Sequence, residues 1–596
     1  MQEESLLQHY ITVPNVYSCQ PLQTGEQFTF ISNETGIPTV WKGDINGNIS
    51  SYGTYPDRVL AVHHSPSGNK AIIEIDEDGN EKAQFYIQNY EDETVRKLVF
   101  EPHYFHKFGG WSPNGKSICF SSNRRHPGYF DIFTMDVETQ QLTTVLEYDG
   151  ICEPICWLKD GEHLLIRVNE TNIEHRLYKL SILTGHVERI DHEKLLASYD
   201  DIQLTADGKG AYVLTNIGEE MMFIGYLQFD EPTKIQKVYG DEFWDIEALV
   251  LNEQAGKLAF TINKGGYSEL AYINLETKTV QKLETLPLSV IESLHWLNDQ
   301  TLLFTLKAAT IPGDVWCYQL EQHAFKRLTE VSCEQQVEGD WVTPNLHSFA
   351  SFDDLQVPYF LYAKGETEGK PVVVYVHGGP ESQIRSTYNP VIQYLAASGF
   401  VVVAPNVRGS RGYGRTYIKL DDGMKRLDAV QDLACLVDHL ANVHAIDREH
   451  VGVVGRSYGG FMVLASLTHY PEIWKAGVNI VGISHFTSFL ENTGPWRRRL
   501  RECEYGTLVD HREFFEEISP LRLAANIQAP LLVFHGKNDT RVPVSEAEQL
   551  VQGMRDRGQS VELTVFEDEG HQTEKLENVL TMHGETIRFF EQQLKE

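Results

Sequence analysis

Short apolar segments recur at nearly even spacing through the first 330 residues of the chain. Most follow a polar turn that contains glycine, and the turns lie near residues 25, 68, 115, 161, 208, 256 and 300. Trp111, Trp157 and Trp296 each stand just before such a turn. A period near 45 residues with about four strands per repeat is typical of a β-propeller. Because an unrepeated β-sandwich would not space its turns so evenly, the pattern predicts an N-terminal seven-bladed propeller.

From about residue 345 the pattern changes to alternation. A hairpin at 348–361 precedes continuous apolar runs at 372–376, 400–404, 451–454, 476–481, 530–534 and 561–566. Segments 424–443, 545–557 and 573–594 carry apolar residues at helical spacing. Apolar strands alternating with amphipathic helices predict a doubly wound, mostly parallel sheet covered on both faces, the plan of an α/β-hydrolase domain. We expect the propeller, with a short N-terminal segment, in 1–340 and the catalytic domain in 341–596.

Composition excludes several classes of function. The net charge of −33 argues against nucleic acid and anionic membranes as partners. The start of the chain lacks a basic region followed by an apolar one, and no apolar run approaches 18 residues, so we expect neither a signal peptide nor a membrane span. Eight scattered cysteines, of which only Cys152 and Cys156 lie close, favour a reducing cytoplasm over disulfides or zinc. We expect no metal or organic cofactor.

The candidate chemistry begins at residues 455–459, Gly-Arg-Ser-Tyr-Gly, which match the pattern G-x-S-x-G. An apolar strand precedes them and a segment with helical spacing follows. A sharp turn between strand and helix lifts a serine hydroxyl above the sheet, and the flanking glycines leave room for it. Ser457 is therefore the predicted nucleophile, with an ordinary turn serine as the alternative.

A serine nucleophile needs a base and an acid, which follow it in the order Ser, Asp, His in this fold. Asp539, after the 530–534 strand, is the predicted orienting carboxylate, and His571, after the 561–566 strand, is the predicted general base. The competing groups are His535, which we expect to support the acid loop, and the solvent-facing acids Glu567, Asp568 and Glu569.

An oxyanion hole needs two backbone N–H groups, one directly after the nucleophile and one from the loop after an early strand. Tyr458 supplies the first. Residues 377–380, His-Gly-Gly-Pro, directly follow the 372–376 strand, and we favour Gly379 for the second. The alternative for this stretch is a bare turn.

Together these motifs resemble the prolyl oligopeptidase family of serine peptidases, in particular its acylaminoacyl-peptidase branch. The carriers are residues 377–380, 406–414 (Asn-Val-Arg-Gly-Ser-Arg-Gly-Tyr-Gly), 455–460, 535–543 and 569–571. The resemblance implies that the propeller caps the active site and restricts entry to short peptides. It implies that Arg541 binds the carbonyl before the P1 residue, unless it is a surface arginine. It also makes Phe486, Phe489 and Trp496 candidates for the P1 pocket, with core packing as the alternative.

One feature departs from the family pattern. Branches that release dipeptides carry a paired-glutamate amine clamp, and the propeller holds no convincing copy. Glu219 and Glu220 fit a solvated turn better. We expect the basic stretch 496–501, Trp-Arg-Arg-Arg-Leu-Arg, to form a solvated helix face, with a site for a substrate carboxylate as the alternative.

We therefore expect a cytoplasmic serine exopeptidase or oligopeptidase that acts on short peptides, most similar to an acylaminoacyl peptidase. The alternatives are a carboxypeptidase of the same family, a carboxylesterase, or a binding propeller attached to an inactive hydrolase domain. The P1 preference stays open, and an exposed edge strand of the hydrolase sheet leaves a homo-oligomer open.

Overall fold

The computed structural model describes residues 2–92, 94–231, 234–283, 288–331 and 341–595. In the described part of the first half, the chain forms seven four-stranded sheets, each built from four consecutive antiparallel strands. The predicted seven-bladed propeller is confirmed.

The first four blades comprise these strands: β1 (Val16–Pro21), β2 (Gln27–Ser32), β3 (Thr39–Asp44) and β4 (Ile49–Ser51); β5 (Val59–His64), β6 (Lys70–Ile75), β7 (Gln84–Asn89) and β8 (Val95–Val99); β9 (His106–Trp111), β10 (Ser117–His126), β11 (Tyr129–Asp136) and β12 (Leu142–Leu146); β13 (Cys152–Trp157), β14 (His163–Asn169), β15 (His175–Ser181) and β16 (Val187–Arg189).

The last three blades comprise these strands: β17 (Tyr199–Leu204), β18 (Gly210–Thr215), β19 (Phe223–Gln228) and β20 (Ile235–Tyr239); β21 (Ile246–Asn252), β22 (Lys257–Lys264), β23 (Tyr267–Asn274) and β24 (Val280–Lys282); β25 (Val290–Asn298), β26 (Thr301–Ala308), β27 (Ile311–Gln319) and β28 (Ala324–Arg327).

The repeated tryptophans join neighbouring blades. Each indole N–H donates to a backbone carbonyl of the preceding blade, from Trp111 to His63 at 2.9 Å, from Trp157 to Gly110 at 3.2 Å and from Trp296 to Val250 at 3.1 Å. A large apolar ring fills the wedge between two sheets while its single polar group is satisfied. The tryptophan that recurs in the sequence therefore makes the same contact between neighbouring blades at each of these positions.

Side-chain packing closes the ring between the first and seventh blades. Phe28 of blade 1 shares a hydrophobic cluster with Leu303 and Val315 of blade 7. The Asn298 side chain also donates to the Gly25 carbonyl at 3.1 Å. Every blade in the described ranges consists of consecutive strands, so these contacts between side chains join the first blade to the last.

The second half is built on an eight-stranded sheet in the order β29-β30-β32-β31-β33-β34-β35-β36. Its strands are β29 (Asn345–Ala350), β30 (Gln356–Tyr362), β31 (Val372–Val376), β32 (Val401–Pro405), β33 (Val451–Arg456), β34 (Ala476–Ile480), β35 (Leu531–Gly536) and β36 (Val561–Phe566). β30 pairs antiparallel with both β29 and β32, and the other neighbouring strands pair in parallel. The predicted doubly wound α/β-hydrolase sheet is confirmed.

The helices cover both faces of this sheet. They are α1 (Gln2–Ile11), α2 (Pro390–Ala397), α3 (Gly414–Ile418), α4 (Arg426–Val443), α5 (Tyr458–His469), α6 (Phe486–Asn492), α7 (Pro495–Tyr505), α8 (Arg512–Ile518), α9 (Ser545–Asp556) and α10 (Leu576–Lys595), with 3₁₀ turns at Gly423–Lys425 and Pro520–Asn526. One hydrophobic cluster packs α4, α5 and α9 on one face, and a second packs α1, α2 and α10 on the other.

The N-terminal helix α1 packs on the hydrolase sheet although it precedes the propeller in the chain. Tyr10 is buried, and its ring meets Tyr394 of α2 edge-to-face at 5.5 Å. The Tyr388 hydroxyl donates to the Tyr10 carbonyl at 2.7 Å. The predicted division at residues 340 and 341 stays a prediction, since residues 332–340 lie outside the described ranges.

None of the helices described is both long and apolar enough to cross a membrane. Seven cysteines are unpaired in the described ranges, including Cys152 and Cys156, and Cys333 lies outside them.

We expect Tyr10→Ala to destabilise the catalytic domain by about 3 kcal/mol, because it removes a buried ring and leaves a cavity in the hydrophobic cluster of α1, α2 and α10. Thermal unfolding followed by circular dichroism checks this. Gln8→Ala, an exposed position on the same helix, is the control and is expected to unfold near the wild-type temperature. Equal midpoints for both variants would contradict the proposed anchoring of α1.

Candidate active site

Ser457 lies on a turn where three backbone segments meet. It joins β33 to α5 with φ 60° and ψ −118°, a backbone conformation that residues other than glycine rarely adopt. A side chain at Gly455 would overlap the Gly459 carbonyl, and one at Gly459 would overlap the Val376 carbonyl at the end of β31. The glycines of the motif are therefore required by this close approach, and the serine hydroxyl stands at the carboxyl edge of the sheet.

The structure brings Ser457, His571 and Asp539 into one hydrogen-bonded array. The Nε2 atom of His571 lies 3.0 Å from the Ser457 hydroxyl, and its Nδ1 atom lies 2.7 Å from Oδ2 of Asp539. His571 and Asp539 are 3% and 8% exposed, so the array is shielded from water. Residues more than 100 positions apart meet here because β33, β35 and β36 end at the same edge of the sheet.

The environment of Asp539 keeps its carboxylate ionised. Burial opposes the charge, but the imidazoles of His571 and His535 and the N–H group of Val542 together outweigh it and lower the pKa of Asp539 below its ordinary value. Its Oδ1 atom accepts from the N–H groups of Arg541 at 2.8 Å and Val542 at 2.9 Å. An ionised Oδ2 only accepts, so Nδ1 of His571 carries the proton and Nε2 is free to accept one from serine.

The competing residues have other contacts. Nε2 of His535 donates to the Val542 carbonyl at 2.8 Å, which braces the acid loop as expected. Glu567 pairs with Lys537 and Asp568 with Lys575. The expectation that all three flanking acids face solvent is wrong for Glu569.

Glu569 is 1% exposed and holds the histidine loop together. Its Oε1 atom accepts from the N–H groups of Glu574 at 3.1 Å and Lys575 at 2.8 Å. A carboxylate satisfies several backbone N–H groups at once, which is why it is buried here in spite of its charge.

Two backbone segments frame the oxygen side of Ser457. Tyr458 is the first residue of α5, where helix N–H groups have no acceptor within the helix. A side chain at Gly378 would lie 3.5 Å from Cβ of Ser457, so the loop that holds Gly379 passes directly beside the nucleophile. His377 fixes this loop, because its Nε2 atom lies 2.8 Å from the Ser410 hydroxyl. The oxyanion role of Gly379 and Tyr458 remains a prediction.

A buried charged cluster lies behind Tyr458, whose hydroxyl donates to Asp421 at 2.9 Å. Arg426 bridges Asp421 and Glu504. Burial raises the pKa of Asp421 to about 6 and that of Glu504 well above its ordinary value. Carboxylate oxygens of Asp421, Asp422 and Glu504 lie within 4.8 Å of one another, and three carboxylates of this kind could hold a cation. The guanidinium already neutralises part of this charge.

The predicted substrate-binding residues have different surroundings. Arg541 forms a double ion pair with Glu81 of the propeller, at 2.8 and 2.6 Å. Trp496 packs on Phe105 of the propeller with ring centroids 5.3 Å apart. Phe486 and Phe489 are 0% and 1% exposed within the core of the sheet, so their part in a P1 pocket stays a prediction.

The basic helix α7 presents a cation with no carboxylate partner in the described ranges. Burial, together with repulsion from Arg501 and Arg541, lowers the pKa of Arg497 to about 9. Arg501 itself lies 3.5 Å from Glu381, directly after the His-Gly-Gly-Pro loop. Helix α7 is therefore partly enclosed between the two domains, and the expectation of a solvated helix face is wrong for Arg497 and Arg501.

Of the two adjacent glutamates in the propeller, Glu220 joins the two domains. Glu219 pairs with Lys237, while the Glu220 side chain accepts from the Thr416 hydroxyl at 3.0 Å. The Glu220 carbonyl also accepts from the Arg415 N–H at 2.9 Å. The solvated-turn interpretation is therefore incomplete, because Glu220 holds the start of α3.

Sequence reasoning missed the groups that hold the histidine loop. Arg456, inside the serine motif, donates to the His571 carbonyl at 2.7 Å. From blade 2, the Asp78 side chain pairs with Lys575 at 2.7 Å, and its carbonyl accepts from Asn538 at 3.2 Å. Arg456 was visible as a charge in an otherwise apolar turn. Nothing in the sequence marks a contact between residues separated by almost 500 positions.

A serine on a strand-to-helix turn, an adjacent imidazole and a β-propeller packed against the site define a serine hydrolase of the α/β-hydrolase fold. Residues 386–596 match the model of the prolyl oligopeptidase family. Dipeptidyl aminopeptidase BIII of Pseudoxanthomonas mexicana is 25% identical over 603 residues, which cover 95% of this chain and 85% of that protein. Acylamino-acid-releasing enzyme 2 of Oryza sativa is 26% identical over 216 residues, which cover 35% of this chain and 28% of the rice protein.

A puromycin-hydrolyzing peptidase of Mycobacterium tuberculosis has the same fold, with a TM-score of 0.86, 18% identity and coverage of 99% of this chain and 96% of that one. Residues 386–596 therefore form a domain of the prolyl oligopeptidase family, and the chain is a serine peptidase.

We expect Gly79→Ala to lower kcat by about tenfold or more, because the added Cβ would lie 2.6 Å from the N atom of Gly570 and displace the histidine loop. Gly161→Ala is the matched control, since Gly161 has φ 68° against 72° for Gly79 but open space around its Cβ. Both variants carry the same backbone strain of roughly 1 kcal/mol. Equal steady-state rates for the two variants would show that the propeller contact does not position His571.

Proposed function

We propose that Ser457, His571 and Asp539 form the catalytic triad of a peptidase that acts through an acyl-enzyme. His571 takes the serine proton on Nε2 while the hydroxyl oxygen attacks the scissile carbonyl, and it gives that proton to the leaving amine as the C–N bond breaks. Water then attacks the acyl-enzyme, with His571 as its base, and releases the acid while Ser457 regains its proton. Asp539 holds the imidazole by its Nδ1–H group and stabilises the imidazolium. The observation that carries this proposal is the array of two hydrogen bonds, at 3.0 and 2.7 Å, centred on His571.

The N–H groups of Tyr458 and Gly379 stabilise the oxyanion in this mechanism. Fixed donors that need no rearrangement during the reaction lower the barrier most in a site that excludes water. Two hydrogen bonds support this role. Nδ1 of His377 lies 2.7 Å from the carbonyl oxygen of Gly378, the neighbour of Gly379, and the Tyr458 hydroxyl donates to Asp421 at 2.9 Å, so both segments are held near Ser457.

The proposed substrates are short peptides, cleaved by an acylaminoacyl-peptidase-like exopeptidase or by an oligopeptidase that selects by size. The contacts of Trp496 and Arg541 with propeller residues support a propeller that covers the site and limits entry to short peptides. Arg541 is proposed to exchange Glu81 for a substrate carbonyl when peptide binds. The similarity to the rice acylamino-acid-releasing enzyme supports an activity like that of the acylaminoacyl-peptidase branch.

A carboxypeptidase is the second candidate, and Arg497 favours it. A partly enclosed guanidinium without a carboxylate partner in the described structure is suited to receive a C-terminal carboxylate. A carboxylesterase remains the third candidate, because the same triad cleaves esters.

For location we propose the cytoplasm, on the basis of the unpaired cysteines. For assembly we propose that β29, an edge strand, is the surface through which a homo-oligomer would form.

We expect Ser457→Ala to lower peptide turnover roughly 10⁴-fold or more, since the residual rate then comes from binding and the oxyanion hole alone. Labelling by a fluorophosphonate is expected to disappear with it. Ser348→Ala, on an exposed strand of the same domain, is the control and is expected to keep both signals. Near wild-type turnover by Ser457→Ala would exclude this mechanism.

One neutral peptide in three forms separates the candidate activities: free at both ends, N-acetylated, and C-amidated. We expect the acetylated form to be cleaved fastest, with release of the acetylated residue, measured by mass spectrometry. Loss of cleavage on amidation alone would contradict this and favour the carboxypeptidase. Equal rates for all three forms would indicate an oligopeptidase. A short acyl ester, compared with a peptide anilide, tests the esterase.

A further inference from the structure

Gly379, one of the two proposed oxyanion donors, lies in a tight turn that cannot anchor itself. It has φ 128°, and a side chain there would lie 2.7 Å from the backbone nitrogen of Glu381. The turn therefore requires glycine, which has no side chain to hold it in place. Contacts made by the neighbouring groups decide where the Gly379 N–H lies.

Arg501 of α7 contacts this turn from within the hydrolase domain. One guanidinium nitrogen lies 3.5 Å from the Gly379 carbonyl oxygen, and the other terminal nitrogen lies 3.5 Å from Oε1 of Glu381. The side chains of Arg501 and Glu381 are 10% and 9% exposed. Charged hydrogen bonds are usually shorter than 3 Å, so Arg501 alone holds the Glu381 carboxylate less firmly than a short ion pair would.

Asn172 of the propeller holds the same carboxylate. It lies in the turn between β14 and β15 of blade 4, and its side-chain nitrogen donates to Oε1 of Glu381. The same nitrogen lies 3.0 Å from Oε2 of Glu504, a buried side chain of α7. The amide nitrogen must face these oxygens, because an amide oxygen in its place would meet acceptors only. One amide therefore joins two carboxylates that would otherwise repel each other.

The polar contacts continue from Glu504 to the second proposed oxyanion donor. Arg426 bridges Glu504 and Asp421, and the Tyr458 hydroxyl donates to Asp421 at 2.9 Å. The path thus has the glycine turn at one end and the residue after the nucleophile at the other. The propeller contributes Asn172 to it.

We propose that Asn172 is a positioning residue for the oxyanion hole, acting through Glu381 on the turn that carries Gly379. The inference rests on the oxyanion role of Gly379 and Tyr458, which belongs to the proposed function. Fixed donors stabilise the transition state more than the ground state, so a loosened turn lowers the rate of the chemical step more than it weakens substrate binding. The docking of blade 4 then completes the site on the oxygen side of Ser457.

Steady-state kinetics on a short N-acetylated peptide test the proposal. We expect Asn172→Ala to lower kcat about tenfold or more and to leave KM within about twofold, because the lost contacts are made to the enzyme and not to the substrate. Glu188→Ala is the control and is expected to keep both constants, since Glu188 is exposed on the outer strand of the same blade.

Asn172→Asp separates hydrogen bonding from packing. It keeps the size of the side chain, but it has no N–H group and brings a third carboxylate to the pair. We expect it to lower kcat at least as much as Asn172→Ala does. If Asn172→Ala fails to fold, the comparison of Asn172→Asp with Glu188→Ala decides.

Inhibition by a peptide aldehyde gives a second measurement, which does not depend on the fraction of folded enzyme. The Ser457 oxygen bonds to the aldehyde carbon, the serine proton passes to His571, and the former carbonyl oxygen becomes an oxyanion in the proposed hole. We expect Asn172→Ala to raise the inhibition constant by about the factor by which kcat/KM falls. In the Ser457→Ala background, it is expected to leave the affinity for the uncleaved peptide unchanged.

Kinetic constants of the Asn172 variants equal to those of Glu188→Ala would overturn the proposal. A raised KM with unchanged kcat would also overturn it, since Asn172 would then act on substrate binding. Failure of the proposed function is a separate result, which would appear as absent hydrolysis and absent aldehyde inhibition in the wild-type enzyme.

Discussion

The close approach of three backbone segments around Ser457 is the constraint on which the site depends. The end of β33, the start of α5 and the loop after β31 come together with no room for side chains at Gly455 and Gly459. This contact aims the serine hydroxyl away from the sheet, and it sets the first N–H of α5 and the glycine loop beside it. The strained φ of 60° at Ser457 is tolerated because buried strands on both sides hold the turn in place.

The propeller supports the site as well as covering it. Blade 2 contacts the histidine loop through Asp78 and Gly79 and engages Arg541 through Glu81, while blade 4 reaches the buried acids through Asn172. The contacts of blade 2 therefore join the propeller to loops that carry proposed chemistry in the other domain. Motion between the domains would therefore alter the position of His571 and the availability of Arg541 together.

Charge is distributed unevenly around the site. Partly enclosed arginines lie on the side of α7, and Arg497 has no carboxylate partner in the described structure. Asp201 and Asp245, which have no cation within ion-pair distance among the residues described, line a cavity of about 400 Å³ on the side of Arg411. Buried charges without partners are costly, and proteins retain them mainly where a ligand supplies the missing partner. A peptide, which carries both signs of charge at its ends, is the substrate class that fits such an arrangement.

The sequence by itself determined the architecture and the order of the key residues. Seven evenly spaced turns predicted seven blades, and continuous apolar strands predicted the parallel sheet, because both patterns arise from local burial. The serine motif and the loops with Asp539 and His571 were identifiable because each directly follows a strand. The helices α1, α2, α3, α6 and α8 were not predicted, since each has ten residues or fewer, which is too short for a clear helical period.

Only the tertiary structure decided which distant groups meet. The docking of α1 on the second domain, the burial of Glu569, the ion pair between Glu81 and Arg541 and the acidic cavity all depend on contacts across hundreds of residues. The same applies to Phe486, whose ring fits a pocket or a core equally well until its neighbours are known. The local pattern of apolar residues indicates which face of a helix or strand is buried. It does not indicate which other element that face packs against.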